Sequence, residues 1–248
     1  MSKLSGLRLL PVLAAVVMVG CDLPGRPNPA DRPVPADQVT DFGVLYATHC
    51  AGCHGADGKL GPAPPLNDPI FLAIVPDEEL LMVIAEGRAV TATQKSPMPA
   101  FAREKGGPLS AAQVQALADG IKKRWPVARA DAQSLPPYYA ATEASDASKD
   151  KGARVFARAC AGCHGSHGQG GKDGERHIGA INNHAFLMLT SDQALRRYAI
   201  TGRPDLGMPA FDGKAGRSPD FRPLTSTEIH DLVALLAYWR LGGPANGK

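Results

Sequence analysis

Cys50-Ala51-Gly52-Cys53-His54-Gly55 and Cys160-Ala161-Gly162-Cys163-His164-Gly165 are the same six residues, 110 positions apart in a chain of 248. Each string places two thiols three positions apart with an imidazole directly after the second. One such string arises by chance; two identical ones point to duplication. A tetrahedral zinc site needs two cysteine pairs close together around one ion, and these pairs lie far apart in the chain. A disulfide reading gives no reason for a histidine after each second cysteine. The chain holds five cysteines, an odd number that in an exported protein leaves a thiol to be explained. Cys21 is that residue, and the other four leave none over.

C-x-x-C-H is the attachment sequence of c-type haem. The spacing has a chemical reason, because the thiols add across the two porphyrin vinyl groups while the histidine turns a ring nitrogen onto the iron. Cys50, Cys53, Cys160 and Cys163 are therefore expected to carry two covalently bound haem c groups, with His54 and His164 on the irons. The duplication reaches further. Leu45-Tyr46-Ala47 matches Val155-Phe156-Ala157 at the same offset. Leu66-Asn67-Asp68, Phe71-Leu72, Asp77, Leu80 and Gly87-Arg88 recur as Ile181-Asn182-Asn183, Phe186-Leu187, Asp192, Leu195 and Gly202-Arg203 at an offset of 115, so five residues are inserted after the second motif. Met98-Pro99-Ala100-Phe101 returns as Met208-Pro209-Ala210-Phe211 with the offset back at 110, each methionine 44 residues after its motif histidine.

Each copy reads as all-helical. A first helix runs into the cysteine motif, a second covers 77–86 or 192–201, and a third follows Ser110 or Thr225. Ser110-x-x-Gln113 and Thr225-x-x-Glu228 are capping boxes that place the start of the third. Val114, Leu117 and Ile121, and in the second copy Ile229, Leu232, Leu236 and Trp239, form its apolar stripe. Met82 and Met188 lie in apolar helical runs and read as core. Residues 129–149, rich in Ala, Ser, Asp and Pro and without periodicity, read as a linker.

An N-terminal C-x-x-C-H helix, a downstream M-P-x-F loop and a final amphipathic helix together resemble class I cytochromes c in tandem di-haem form, over residues 40–126 and 150–241. The resemblance implies an all-α fold of two cytochrome c domains, residues 41–128 and 150–248, joined by the linker. It implies His54 and Met98 as the axial pair of the first haem, and His164 and Met208 as that of the second. A thioether is a soft, neutral ligand that favours ferrous iron, which supports methionine on physical grounds. Only Met98 and Met208 recur in register. The resemblance also implies a proline carbonyl that takes the axial histidine's ring N–H, which points to Pro64; the aligned Gly179-Ala180-Ile181 holds no proline. Arg88 and Arg203 read either as partners of haem propionates or as solvated helix ends. His49, His167, His177, His184 and His230 have no counterparts in the other copy and read as surface or loop residues.

The N-terminus carries an address. Lys3 and Arg8 precede an apolar run from Leu9 to Gly20, the pattern of an exported protein's signal peptide over residues 1–20, and too short a run to span a bilayer. Met18-Val19-Gly20-Cys21 resembles the lipobox of bacterial lipoproteins, which implies lipidation of Cys21. Residues 21–40, rich in proline, read as a lipid-anchored tether. The formal charge of +3 includes Lys3 and Arg8, and the balance left argues against a nucleic-acid partner. From residue 149 onward 14 Lys and Arg face 9 Asp and Glu, whereas residues 41–130 hold 9 of each. Distinct docking faces and an uneven surface charge without meaning both account for this.

Two coordinatively saturated irons leave no open position for a substrate. The expectation is an electron-transfer protein rather than an enzyme, on the periplasmic side of a bacterial membrane in a respiratory or photosynthetic chain. Its redox partners would be a quinol-oxidising complex or dehydrogenase as donor and an oxidase or soluble cytochrome as acceptor. It would serve as a tethered carrier or as a subunit of a redox complex. The alternative is a peroxidase-like di-haem enzyme with one open iron, against which the matched methionine loops argue. A haem-based sensor would need a signalling domain for which the chain has no room.

Overall fold

In the computed structural model, Asp41 starts the first helix by accepting the Val44 N–H at 2.8 Å, an N-cap of the ordinary kind. The structure describes Asn28 and residues 32–88, 98–125, 134–141 and 146–243. The chain divides into residues 1–36 and 37–248, and the fold described is that of the second unit. The signal peptide, Cys21 and most of the tether lie outside the described residues, as does much of the linker.

The first half runs α1 (Phe42–His49), α2 (Ala51–His54), α3 (Pro69–Ile74), α4 (Asp77–Glu86) and α5 (Ala111–Arg124). The second runs α6 (Asp146–Ala159), α7 (Ala161–His164), α8 (His184–Leu189), α9 (Asp192–Thr201) and α10 (Ser226–Arg240). Starts are set by side-chain caps: Asp68 accepts from Phe71 N–H, Asn183 from Phe186 N–H and Ser191 from Ala194 N–H. Both predicted capping boxes are present, at Ser110/Gln113 and Thr225/Glu228. The second helices fall on the predicted residues, 77–86 and 192–201.

The all-α expectation needs one correction. Within the loop that carries the five-residue insertion, β1 (Gly171–Asp173) and β2 (Arg176–Ile178) form an antiparallel hairpin. Gly174, at φ +60°, begins its two-residue turn, the position where tight hairpin turns need a positive φ.

Two cores result. Leu45, Tyr46, Phe71, Leu80, Leu117, Ile121 and Trp125 belong to the first, and Val155, Phe156, Leu195, Ile229, Leu236 and Trp239 to the second. In each, the helix leading to the cysteine motif packs on the last helix, α1 on α5 and α6 on α10. The halves are not separate beads. α3 packs against α9, Ile70 of α3 and Leu135 lie in the second core, and Tyr138 lies in the first. Met82 departs from the core reading: it is 48% exposed. It stands two residues from both Leu80 and Ile84, about 200° round the helix from the face they bury. Met188 is half-buried.

Candidate haem sites

Cys53 and His54 both return their N–H groups to Cys50 O, at 3.1 and 2.9 Å, and Cys163 and His164 do the same with Cys160 O at 3.2 and 3.0 Å. Each motif is thus one helical turn. Residues i, i+3 and i+4 of a helix share a face, so two thiols and an imidazole emerge together, twice. All four cysteines are free of disulfides. Burial pushes the Cys50 thiol up to about 11, with Cys53 adding to the effect. Burial also lifts the Cys160 thiol to about 11, against the pull of Arg217.

The imidazoles are held from behind. His54 Nδ1 lies 2.9 Å from Pro64 O, and His164 Nδ1 lies 3.3 Å from Gly179 O. A carbonyl only accepts, so Nδ1 carries the hydrogen in both rings and Nε2 keeps the lone pair a metal requires. Burial lowers both imidazole pKa values despite these bonds, which favours the neutral, ligating form. The Pro64 carbonyl is presented by a loop that folds back under the motif: Ala63 N–H donates to Cys53 O at 3.0 Å, and a Cβ at Gly61 would sit 2.2 Å from the same oxygen. In the second half the backbone contact persists without the proline, but it is longer.

The methionine loops are pinned by the repeated Gly-Arg pair. Arg88 N–H donates to Met98 O at 3.1 Å, while Arg203 and Met208 exchange both backbone bonds, at 3.0 and 2.9 Å. Gly87 and Gly202 precede them at φ +70° and +65°, and a Cβ there would lie 2.6 Å from Met98 O or 2.5 Å from Met208 O. The loops then dock on the second helices, through Phe101 N–H to Ile84 O and Phe211 N–H to Ile200 O. The guanidinium groups are committed to protein partners. Arg88 pairs with the buried Glu79 carboxylate at 3.2 Å, which also receives the Tyr138 and Tyr139 hydroxyls. Arg203 pairs with Asp205 at 2.8 Å and donates to Gly61 O at 3.2 Å. Neither is a solvated helix end.

Sequence reading missed Arg217. It donates to Ala159 O, Ala210 O and Gly213 O at 3.0, 2.7 and 2.6 Å, tying the Met208 loop to the end of α6 beside Cys160. Having no counterpart in the first copy, it gave no repeat signal. Among the other histidines, His167, His177 and His184 are exposed and His49 and His230 half-buried.

The family cytochrome c oxidase, cbb3-type, subunit III matches residues 37–119 and 147–236. The chain belongs to this family. None of the curated proteins matches it. Membership in the cbb3-type subunit III family makes the chain a tandem cytochrome c protein, one that works by haem-based electron transfer with redox-partner proteins in a respiratory chain and carries covalently attached haem c. The donor set fits that group: free thiol pairs, neutral imidazoles with Nε2 available, and a thioether loop in each half.

Proposed function

We propose that the chain holds two haem c groups and relays single electrons between them. The first would be joined to Cys50 and Cys53 with His54 and Met98 as axial ligands. The second would be joined to Cys160 and Cys163 with His164 and Met208. Bound haem supplies a reversible one-electron ferric/ferrous couple. The chain's own residues hold the ring tautomers, through Pro64 and Gly179, and anchor the thioethers, through Gly87-Arg88 and Gly202-Arg203. The observation that carries this reading is that the whole ligand-holding arrangement, imidazole support and pinned methionine loop alike, occurs twice. With a histidine and a methionine to hold each iron, the protein would pass electrons rather than turn over a substrate, as a subunit of an oxidase complex or as its tethered donor. The electrons would enter from a quinol-oxidising complex or dehydrogenase on the periplasmic side, with Cys21 lipidated as the anchor. Among the described residues no helix is long and apolar enough to cross a membrane.

Mass analysis and optical spectra of the mature protein test this reading. Two covalent haems, a diacylated N-terminal Cys21 and a ferric Met–iron charge-transfer band are expected. A single haem would end the two-haem reading, and two haems with a ferrous form that takes up carbon monoxide readily would replace it with the peroxidase-like alternative.

A further inference from the structure

Among the described residues, the hydrogen bonds that steady the loop of residues 60–65 from outside the first half come from one stretch of the second, residues 197–205. Arg197, in α9, donates to Pro65 O and lays its guanidinium 3.3 Å from the centre of the Phe71 ring. Asp205 accepts the Leu60 N–H at 3.0 Å, holding a non-glycine residue at φ +63°. Arg203 reaches Gly61 O, with its guanidinium braced by both Asp205 carboxylate oxygens at 2.9 and 2.8 Å. The loop so held is the one that presents Pro64 O to His54. Arg203 is also the residue whose backbone is paired in both directions with Met208. Its counterpart does nothing similar, since Arg88 turns instead to Glu79 and Tyr138.

We infer that Arg203 is a positioning residue shared by the two haem sites: its side chain fixes the loop that orients His54 in the first, and its backbone fixes Met208 in the second. The inference rests on the two-haem reading. The sites are then not independent. A displacement of the Met208 loop pulls on Gly61, and the hydrogen bond from His54 Nδ1 to Pro64 O changes with it. That bond sets how much electron density the imidazole gives a metal, because an N–H held firmly by a carbonyl makes a more basic ligand. Loosening it raises the first site's potential. The coupling is directional in structure, because the second half reaches the ligand support of the first.

Redox titration of the full-length holoprotein tests this, with electron paramagnetic resonance to follow each low-spin centre. Met98→Leu and Met208→Leu assign the two waves by removing one Met–iron band each. Arg203→Gln is expected to shift the first-site wave upward and change the resonance signal of the His54 centre, although position 203 lies in the second site's loop. Arg203→Lys, which keeps the charge but not the fork, is expected to give a smaller shift in the same direction, and Asp205→Asn a similar one. If the first-site wave and signal stay unchanged in both Arg203 variants while two haems remain by mass, Arg203 serves its own loop only and the inference fails. If the unaltered protein carries fewer than two haems, it is the underlying reading that fails.

Discussion

Gly202 sits where no other residue fits, and the cause lies in the chain crossing it rather than in its own helix. At φ +65° with Met208 O only 2.5 Å from where a Cβ would be, an alanine meets both backbone strain and a carbonyl that cannot rotate away. With ψ −158° this is a conformation that essentially only glycine adopts, so the backbone strain costs about 1–3 kcal/mol and the overpacking about 1–3 kcal/mol more. Gly202→Ala is therefore expected to destabilise the holoprotein by about 3 kcal/mol in denaturant unfolding and to weaken the Met–iron band of the second site. An unaltered band would mean the loop does not depend on this approach. The Gly-Arg pair was legible in the sequence as a repeat, but its purpose was not. The contact runs to the backbone of a residue further along the chain, and backbone contacts leave no side-chain pattern. Cys50, Cys53, His54 and their partners were legible because their chemistry is local to one turn.

Helix α10 shows what local chemistry does reveal. Its capping box, Thr225 with Glu228, is set by residues three apart, so start and structure agree. Burial raises the Glu228 carboxyl, but the Thr225 N–H and the Arg222 and Arg158 guanidinium groups outweigh it, and the pKa lies below its ordinary value. A depressed folded pKa adds stability above the unfolded pKa, about 4.3 for glutamate, and loses it as pH falls through the folded value. Glu228→Gln is accordingly expected to cost about 1 kcal/mol at neutral pH and less at pH 3, measured as unfolding midpoints across that range. An equal cost at both would remove the electrostatic part of the argument. The helix crossings were less visible. Gly120 of α5 lies under Phe42, with a Cβ 2.1 Å from a ring carbon, while Gly152 of α6 lies under Asp231 O at the same distance. A ring swings aside and a carbonyl does not. Gly152→Ala is expected to cost about 3 kcal/mol and Gly120→Ala about 1, with circular dichroism melts to rank them. The short α3 and the hairpin β1–β2 escaped the sequence because three to six residues are too few to establish a period, and α8 showed only as the apolar run around Met188.

Across the whole unit, the duplication hides the feature that joins its halves. Arg196 and Arg197 occupy the positions that Leu81 and Met82 hold in the first copy, and this departure from the repeat is where the second half grips the first. Arg196 donates to Pro137 O and to Ser226 Oγ, at 2.8 and 2.9 Å, and Gln193 to Tyr138 O at 2.8 Å. Arg197 is buried deeply enough that burial lowers its pKa to about 10, yet at neutral pH it remains a cation between Pro65 O and the Phe71 ring. Truncating it leaves a buried carbonyl without its donor, worth about 1–3 kcal/mol, and opens a gap between α3 and α9. That loss falls on the contact between the halves, where Arg197 meets Phe71 at the margin of the first core. The unaltered protein is thus expected to unfold in a single denaturant transition, seen alike by tryptophan fluorescence and far-ultraviolet dichroism. Arg197→Ala is expected to separate it into two, because each half retains its own capped helices and its own core while the term linking them shrinks. A variant that still unfolds in one coincident step, merely at lower denaturant, would place the coupling in the Ile70 and Leu135 contacts rather than in the arginine.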